Sequence, residues 1–303
     1  METPTATPLS LCFEEPHLQA LVRFAAVATP EQHKSADFAP ANLFIWNHVY
    51  RHELAFFGEQ AIVRVQPQDG HFRYLCPVGK GALAPVVTLL REECHAKGHP
   101  LVLVGVTDEQ LERLEHEMPG AFTALENRDA EDYIYSAEKL STLSGKKLHA
   151  KRNHINSFCE KHAWRISPLR EKHFDACRAI VDGWQDEQGD ASAEREAIER
   201  ALSRFEELGL CGALLRVDDR PVAFAIGEML GEDTLCVHFE KALPDWREAY
   251  PVINREFVRM VAAAHPALAL VNREDDMGLE NLRRAKLSWH PAYLLRKYTL
   301  TFA

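Results

Sequence analysis

The chain has 303 residues, 46% hydrophobic and 26% charged, with a formal net charge of −10 and a pI near 5.8. That length suits two domains of ordinary size. The acidic balance argues against broad non-specific nucleic-acid binding, which needs excess Lys and Arg, and leaves room only for a local basic patch. Apolar runs such as "LVLVGV" at 101–106 and "LALV" at 268–271 fall far short of the ~20 residues that cross a bilayer. The N-terminus carries acids and prolines where a signal peptide needs a basic start and an apolar stretch, so the expected location is the cytoplasm. Seven cysteines, odd in number and without a C-x-x-C pair, read as reduced thiols, not as a disulfide framework or a cysteine zinc site.

In chain order, residues 37–60 place Leu43, Trp46, Tyr50 and Leu54 at spacings of three and four, which predicts an amphipathic helix. "AIVRVQP" and "FRYLCPVG", separated by "QDG", form a hairpin signal. "GALAPVVTLLREECHAKG" reads as a helix stopped by glycine, "PLVLVGV" as a buried strand, and "TDEQLERLEHEMPG" as a helix capped by Thr107. This first half is mixed α and β and ends near "EDYIYS" at 131–136. "WRISPL" then reads as a strand. "REKHFDACRAIVDGWQDEQG" and "ASAEREAIERALSRFEELG" read as two helices, each stopped by a glycine. "CGALLRVDDRPVAFAIGEML" is a hairpin turning at Asp218 to Pro221, and "DTLCVHFEKA" is a further strand. The helix "YPVINREFVRMVAAAH" and the strand "PALALVN" follow. Strand, two helices, three antiparallel strands, helix, strand, helix, strand is the order of a GNAT acyltransferase domain. The expected division is a first lobe at 1–139, a basic linking helix at 140–163 and a second lobe at 164–303. No Gly-rich phosphate loop, H-E-x-x-H or G-x-S-x-G occurs.

Three constellations could carry chemistry. In "LSTLSGKKLHAKRNHINSFCEKH", Leu148, Ile155 and Phe158 mark one helical face, and Lys151 and Arg152 interrupt it. With Ser144 as cap, the free N–H groups behind "SGKK" and the cations Lys146, Lys147, Lys151 and Arg152 suit an anion, although a solvated basic linker would look the same. The second is "NREDDMGLENLRRAKLSWHP" at 272–291. If Asp276 caps a helix starting at Met277, Leu279 and Leu282 face the core and Lys286 shares their stripe, with Arg283 beside it. Cations on an inward face need anions or a wet cleft. Glu280 and Arg284, four apart, read as an exposed pair. Asn272, Arg273, Glu274 and Asp275 fall at a strand end, where open α/β sheets place ligand-binding groups. The third is "VHFEKALPDW", where His238 and Glu240 alternate on one side of a strand with Cys236; either could be a general base, and His238 could equally be a satisfied core histidine. Trp184, Trp246 and Trp289 read as core or groove aromatics, with Trp289 placed to line a substrate groove. The fifteen histidines show no pair at zinc-site spacing, so no metal site is expected.

"KLSTLSGKKLHAKRNHINSF", "NREDDMGLENLRRAKLSWHPAYLLRKY" and "ANLFIWNHVY" together resemble the bacterial family related to the C-terminal catalytic domain of phosphatidylglycerol lysyltransferases. The resemblance spans nearly the whole chain. It implies an α/β (α+β) fold of two tandem GNAT-like lobes, each a mixed, mainly antiparallel sheet flanked by helices, akin to the Fem peptidyltransferases, with the active cleft in the second lobe. Membrane-anchored relatives transfer an aminoacyl group from aminoacyl-tRNA to the hydroxyl of phosphatidylglycerol; the multi-helix membrane region of those enzymes is missing here. By position, the functional segments it implies are Lys146 to Asn153, His238 to Lys241 and Asn272 to Lys286.

The expected function is acyl transfer by a GNAT-superfamily protein, with an aminoacyl group passing from an activated donor of the aminoacyl-tRNA type to an amine or hydroxyl, on a small molecule or lipid headgroup. Glu240 or His238 would be the base; Lys286, Arg283 and Asn272 would stabilise the oxyanion. Lys146, Lys147, Lys151, Arg152 and Asn153 would hold donor phosphate, tRNA being the partner of this patch, and Glu274, Asp275, Arg283 and Trp289 would line the substrate site. No cofactor or metal is required. Two alternatives remain: a non-catalytic protein that holds an anionic ligand, and acetyl-CoA-dependent transfer, weakened because "KALPDWREAYP" has no glycine-rich run to wrap pyrophosphate.

Overall fold

The computed structural model describes residues 11–66, 70–188 and 192–302, the side chains of 184–188 excepted. The elements are α1 (Leu18–Ala28), α2 (Pro40–Ile45), α3 (Asn47–Tyr50), β1 (Glu53–Phe57), β2 (Gln60–Val65), β3 (Arg73–Leu75), β4 (Val78–Gly79), α4 (Ala84–Ala96), β5 (Leu101–Thr107), α5 (Asp108–Glu117), β6 (Phe122–Glu126), β7 (Asp132–Ser136), α6 (Ala137–Thr142) and α7 (His149–Lys161). There follow β8 (Trp164–Pro168), α8 (Phe174–Gln188), α9 (Ser192–Ser203), β9 (Cys211–Val217), β10 (Arg220–Leu230), β11 (Thr234–Ala242), α10 (Ala249–Ala264), β12 (Leu270–Asn272), α11 (Glu280–Leu287), β13 (Tyr293–Leu295) and β14 (Lys297–Phe302).

Two seven-stranded sheets result. The first runs β1-β2-β3-β5-β14-β6 with β4 on β2, the second β13-β7-β12-β11-β10-β9-β8. Only β3 with β5 and β11 with β12 pair in parallel among the described strands. Helices cover both: α4 and α5 pack on the first sheet, α6, α7 and α10 on one face of the second, and α8, α9 and α2 on its other face. This is the tandem GNAT-like layout that the resemblance implies.

The sheets cross the boundaries drawn at 139 and 164. β7, from the first 139 residues, lies between β13 and β12 in the second sheet; β14, the last strand, lies between β5 and β6 in the first. The composition changes at the basic segment, but sheet membership follows edges: a buried edge needs a partner for its N–H and C=O groups. Each lobe supplies a strand to the other, which ties them into one body.

Local signals explain most of the elements. Thr107 and Gln110 form a capping box at α5, where the Thr107 N–H donates to Gln110 Oε1 at 3.1 Å. The β9–β10 hairpin turns on Asp218 and Asp219, both with positive φ (48° and 67°), as a two-residue turn that matches strand twist requires. Leu148, Ile155 and Phe158 are buried as their spacing predicts. α7 begins at His149, however, with Leu148 and not Ser144 at its cap. Residues 37–60 depart further from expectation. α2 ends at Ile45, α3 ends at Tyr50 with Arg51 after it in the left-handed region, and Leu54 belongs to a strand, paired with Val63. The helical spacing that included Leu54 was coincidental, and pairing with β2 decided the outcome. The "QDG" turn at Gln68 and Asp69, the stop at Gly189 and the Trp184 side chain lie outside the described residues. Among the described residues no helix is long and apolar enough to cross a membrane.

Candidate functional site

The site arises where two parallel strands part. β12 pairs with β11 only through Thr234, Leu235 and Cys236, the last opposite Asn272. Beyond that point β11 runs on to Ala242 without a strand on that edge, while the chain after Asn272 turns away. The wedge opens into a cleft of about 1890 Å³. Both lobes line it: Asp37 and Asn42 from the first, His238, Glu240, Asp275 and Lys286 from the second.

A β-bulge corrects the expected placement of His238 and Glu240. Val237 pairs with Gly227 and Phe239 with Ile226, so His238 is the extra residue on β11. After the bulge the alternation is reversed. Phe239 packs toward α8 and α9, and Glu240 turns to the α10 side, accepting from Asn254 Nδ2 at 3.0 Å and from Arg273. His238 lies apart from it, with Nδ1 2.8 Å from Glu274 Oε1 and Nε2 2.9 Å from Glu228 Oε1. Burial would lower its basicity, but Cys236 and the two carboxylates outweigh that and hold the imidazole well above its ordinary value. Neither ring nitrogen is free to take a proton from a substrate, so the base role expected for His238 does not fit.

The segment after β12 is also built differently from expectation. Asn272 is fully buried: its Nδ2 donates to Asp132 at 2.8 Å and to the Lys34 carbonyl at 2.6 Å, and its Oδ1 accepts from the Glu274 N–H. It therefore holds the loop and is not available to an oxyanion. Asp276 does not cap a helix at Met277; α11 starts at Glu280, and Met277 has a left-handed backbone. The fully buried Asp276 accepts from Tyr133 Oη, Gly278 N–H and Arg283. Burial alone would raise its carboxyl, but those donors hold it well below the carboxylate range. Arg283 also reaches Asp129 at 2.6 Å, so it braces the loop and is not free to meet an oxyanion. Leu279 is 53% exposed and no residue of α11 is buried; Leu279, Leu282 and Lys286 face the cleft, not the core. Lys286 donates to the Arg273 and Asp275 carbonyls, and burial lowers its basicity. Arg284 bonds Asn281, not Glu280.

Two groups stand out in the cleft. Asp275 is in no ion pair among the described residues, and burial, helped by Asp132, Asp37 and Glu274 against the pull of Lys297, pushes its carboxyl up to about 7. Arg273 holds Glu240 through Nη2, lies over the rings of Trp289 and Tyr135, and keeps Nη1 buried with no hydrogen-bond partner. Below them Lys297 is buried between Asp132 and Asp37, 2.8 Å from each, and despite the burial these carboxylates hold its ammonium firmly protonated. Glu228, Asp132, Asp37 and Lys297 were not singled out from sequence. Acids inside strands of otherwise apolar pattern, as in "EDYIYS" and "IGEML", were the available signal.

The basic segment does not line the cleft. Lys146, Lys147 and Asn153 are exposed; Arg152 bonds the Leu143 carbonyl and His149, and Asn153 bonds His149. Lys151 reaches Ser288 at 3.0 Å and lies 4.6 Å from the Trp289 ring, and burial lowers its basicity. Trp289 itself is buried in the core beside α7 and α10 and does not line the cleft, contrary to the groove role expected for it.

The family described as phosphatidylglycerol lysyltransferase, C-terminal, matches residues 29–301. A conserved protein of unknown function from Bacteroides thetaiotaomicron superimposes with a TM-score of 0.90 at 32% identity, covering 97% of this chain and 100% of that one. The C-terminal domain of a candidate lysylphosphatidylglycerol synthetase from Agrobacterium fabrum follows at 0.69 and 14%, covering 93% and 91%. L-PGS from Bacillus licheniformis gives 0.66 and 15%, covering 95% and 93%. These last two likenesses concern the fold alone. An uncharacterised protein of Mycoplasmoides gallisepticum is 29% identical over 174 residues, 55% of this chain, and the chain spans only about half, 54%, of that relative's length.

Proposed function

This chain belongs to the phosphatidylglycerol lysyltransferase C-terminal family, and from that premise we propose that its GNAT-like acyltransferase fold moves an aminoacyl group from an ester-linked donor of the aminoacyl-tRNA type to an amine or hydroxyl acceptor. The acceptor heteroatom attacks the ester carbonyl and forms the new C–N or C–O bond. Its proton passes to Asp275, and the bond between the acyl carbon and the ribose oxygen breaks as that proton is returned to the leaving oxygen. Arg273 Nη1 donates to the oxyanion in a site where water competes weakly. Glu240 orients Arg273; Lys286 fixes the backbone of both Arg273 and Asp275; Asn272 and His238 shape the loop and strand behind them. Lys146, Lys147 and Lys151 hold donor phosphate beside Trp289. An aminoacyl-tRNA donor would place the reaction in the cytoplasm.

The observation that supports this reading most directly is the Asp275 carboxylate, in no ion pair among the described residues and accepting from the Met277 N–H, beside the unpaired Nη1 of Arg273 at the wedge between β11 and β12. Loss of labelled aminoacyl ester from a mixed aminoacyl-tRNA pool, measured with phosphatidylglycerol vesicles or simple amines as acceptors, tests it. Acceleration over the protein-free control that disappears in Asp275→Asn supports the mechanism. A wild-type protein that neither speeds ester loss nor retains aminoacyl-tRNA on a filter would sink it.

A further inference from the structure

At the vertex where β11 and β12 part, three donor atoms of different chemistry converge. Cys236 is the last residue of β11 paired with β12, His238 is the bulge two positions on, and Glu274 is two positions past Asn272. Their Sγ, ring nitrogen and carboxylate oxygen all lie within 4.8 Å of one another. Cys236 Sγ is 3.9 Å from His238 Nδ1, which is 2.8 Å from Glu274 Oε1. A tetrahedral ion with zinc–ligand bonds near 2.0–2.3 Å needs donor separations of about 3.3–3.6 Å. The two shorter separations need adjustments of about half an ångström and the Sγ-to-carboxylate one, within 4.8 Å, at most roughly 1.5 Å.

We propose that Cys236, His238 and Glu274 form a binding site for a borderline-soft divalent cation of the zinc class, with its fourth position open to the cleft. Thiolate, imidazole and carboxylate on one centre select such an ion over magnesium or calcium, which prefer all-oxygen shells. The outer shell is already in place. Glu228, opposite Cys236 on β10, accepts from His238 Nε2–H at 2.9 Å and so leaves Nδ1, where the ion would replace the proton shared with Glu274, as the ligating nitrogen, the carboxylate–histidine arrangement common to metal sites. Glu228 is itself fixed by the Ala41 N–H at 3.1 Å.

Two further observations point to the same place. Asn42 Nδ2 touches Glu274 at 3.3 Å while its Oδ1 is buried without a hydrogen-bond partner, an unused oxygen ligand in the wall of the site. Both His238 and Glu274 are brought there by backbone irregularities, the bulge and a left-handed φ of 58° at Glu274. Left-handed backbone at a non-glycine residue costs of order 1–3 kcal/mol and concentrates at functional positions. The His238 and Cys236 side chains are enclosed, and Glu274, partly exposed in the cleft wall, is the edge through which substrate would reach the ion. The proposal does not depend on the acyl-transfer reading: it stands or falls on metal binding.

Titration of the full-length chain with Co²⁺, followed by visible and near-ultraviolet absorption, tests it. The expected result is one equivalent of tetrahedral Co²⁺ with a thiolate-to-metal band, displaced by Zn²⁺ and lost in Cys236→Ser. Glu228→Gln should keep the band but weaken binding by about 10–100-fold, as removal of an outer-shell partner does. Far-ultraviolet circular dichroism and melting temperature establish that the variants remain folded. Absence of a thiolate band in the wild-type protein, or its persistence in folded Cys236→Ser, would overturn the proposal.

Discussion

Trp289 has two cations over its ring, Lys151 at 4.6 Å and Arg273 at 5.7 Å, and these belong to two charged regions of opposite character. Around α7, the cations at 146 and 147 project into water, and Arg152 and Asn153 bond within their own segment. After β12, the charges are met by residues from far along the chain: Asp276 and Arg283 by Tyr133 and Asp129, Asn272 by Asp132. A charged stretch beside parting strands is enclosed, and enclosure demands partners, because an unpaired buried charge is costly. A charged stretch on an outer helix makes no such demand. The first kind of region fixes a loop; the second leaves its cations in water.

The sharpest way to break this contrast is Asp275→Asn, which should lower transfer by about 10²–10⁴-fold, the range for loss of a general base, while leaving the melting curve near that of wild type. An equal loss from Lys146→Ala with Lys147→Ala would erase the distinction. Second, Asp132→Ala strips Lys297 and Asn272 of a shared partner. It should cost about 3–5 kcal/mol in urea unfolding, toward the lower end because Asp37 still faces Lys297.

Third, His52 in the cleft wall tests enclosure outside both stretches. Its Nδ1 lies 3.1 Å from the Leu43 carbonyl, and burial pulls its pKa down to about 4, with that carbonyl opposing. Because the unfolded chain holds the proton from about 6.5 downward, stability is full above that pH and falls as pH drops toward 4, by about 3 kcal/mol. His52→Gln should flatten the slope in that window, and unchanged pH dependence would refute the assignment. The smallest effect belongs to the α7 patch: Lys146→Ala with Lys147→Ala should move stability by no more than ~0.5 kcal/mol and reduce the salt dependence of aminoacyl-tRNA binding by a slope of about 1–2.

Much of the architecture could be read from the chain because its causes are local. The order of elements from Trp164 onward, the capping box at Thr107, the Asp218–Asp219 turn and the buried stripe of Leu148, Ile155 and Phe158 each depend on residues a few positions apart. The candidate segment 272–286 was legible as charges crowded against a strand end. Their roles were not. Asn272 and Arg283 look like donors for a substrate until Asp132 and Asp129, 140 and 154 residues away, occupy them. Arg273 looked like one more cation until its stacking and its unpaired Nη1 were visible.

By itself, then, the sequence determined a mixed α and β chain, its helix and hairpin signals, and a charged segment at a strand end, since periodicity, caps and turns act within a few residues, while the tandem lobes were read from the family resemblance. The exchange of β7 and β14 between the sheets, the parting of β11 from β12, and the bulge that separates His238 from Glu240 were decided only by the tertiary structure. Each depends on which distant edge or buried charge is left needing a partner, and a linear pattern does not specify that.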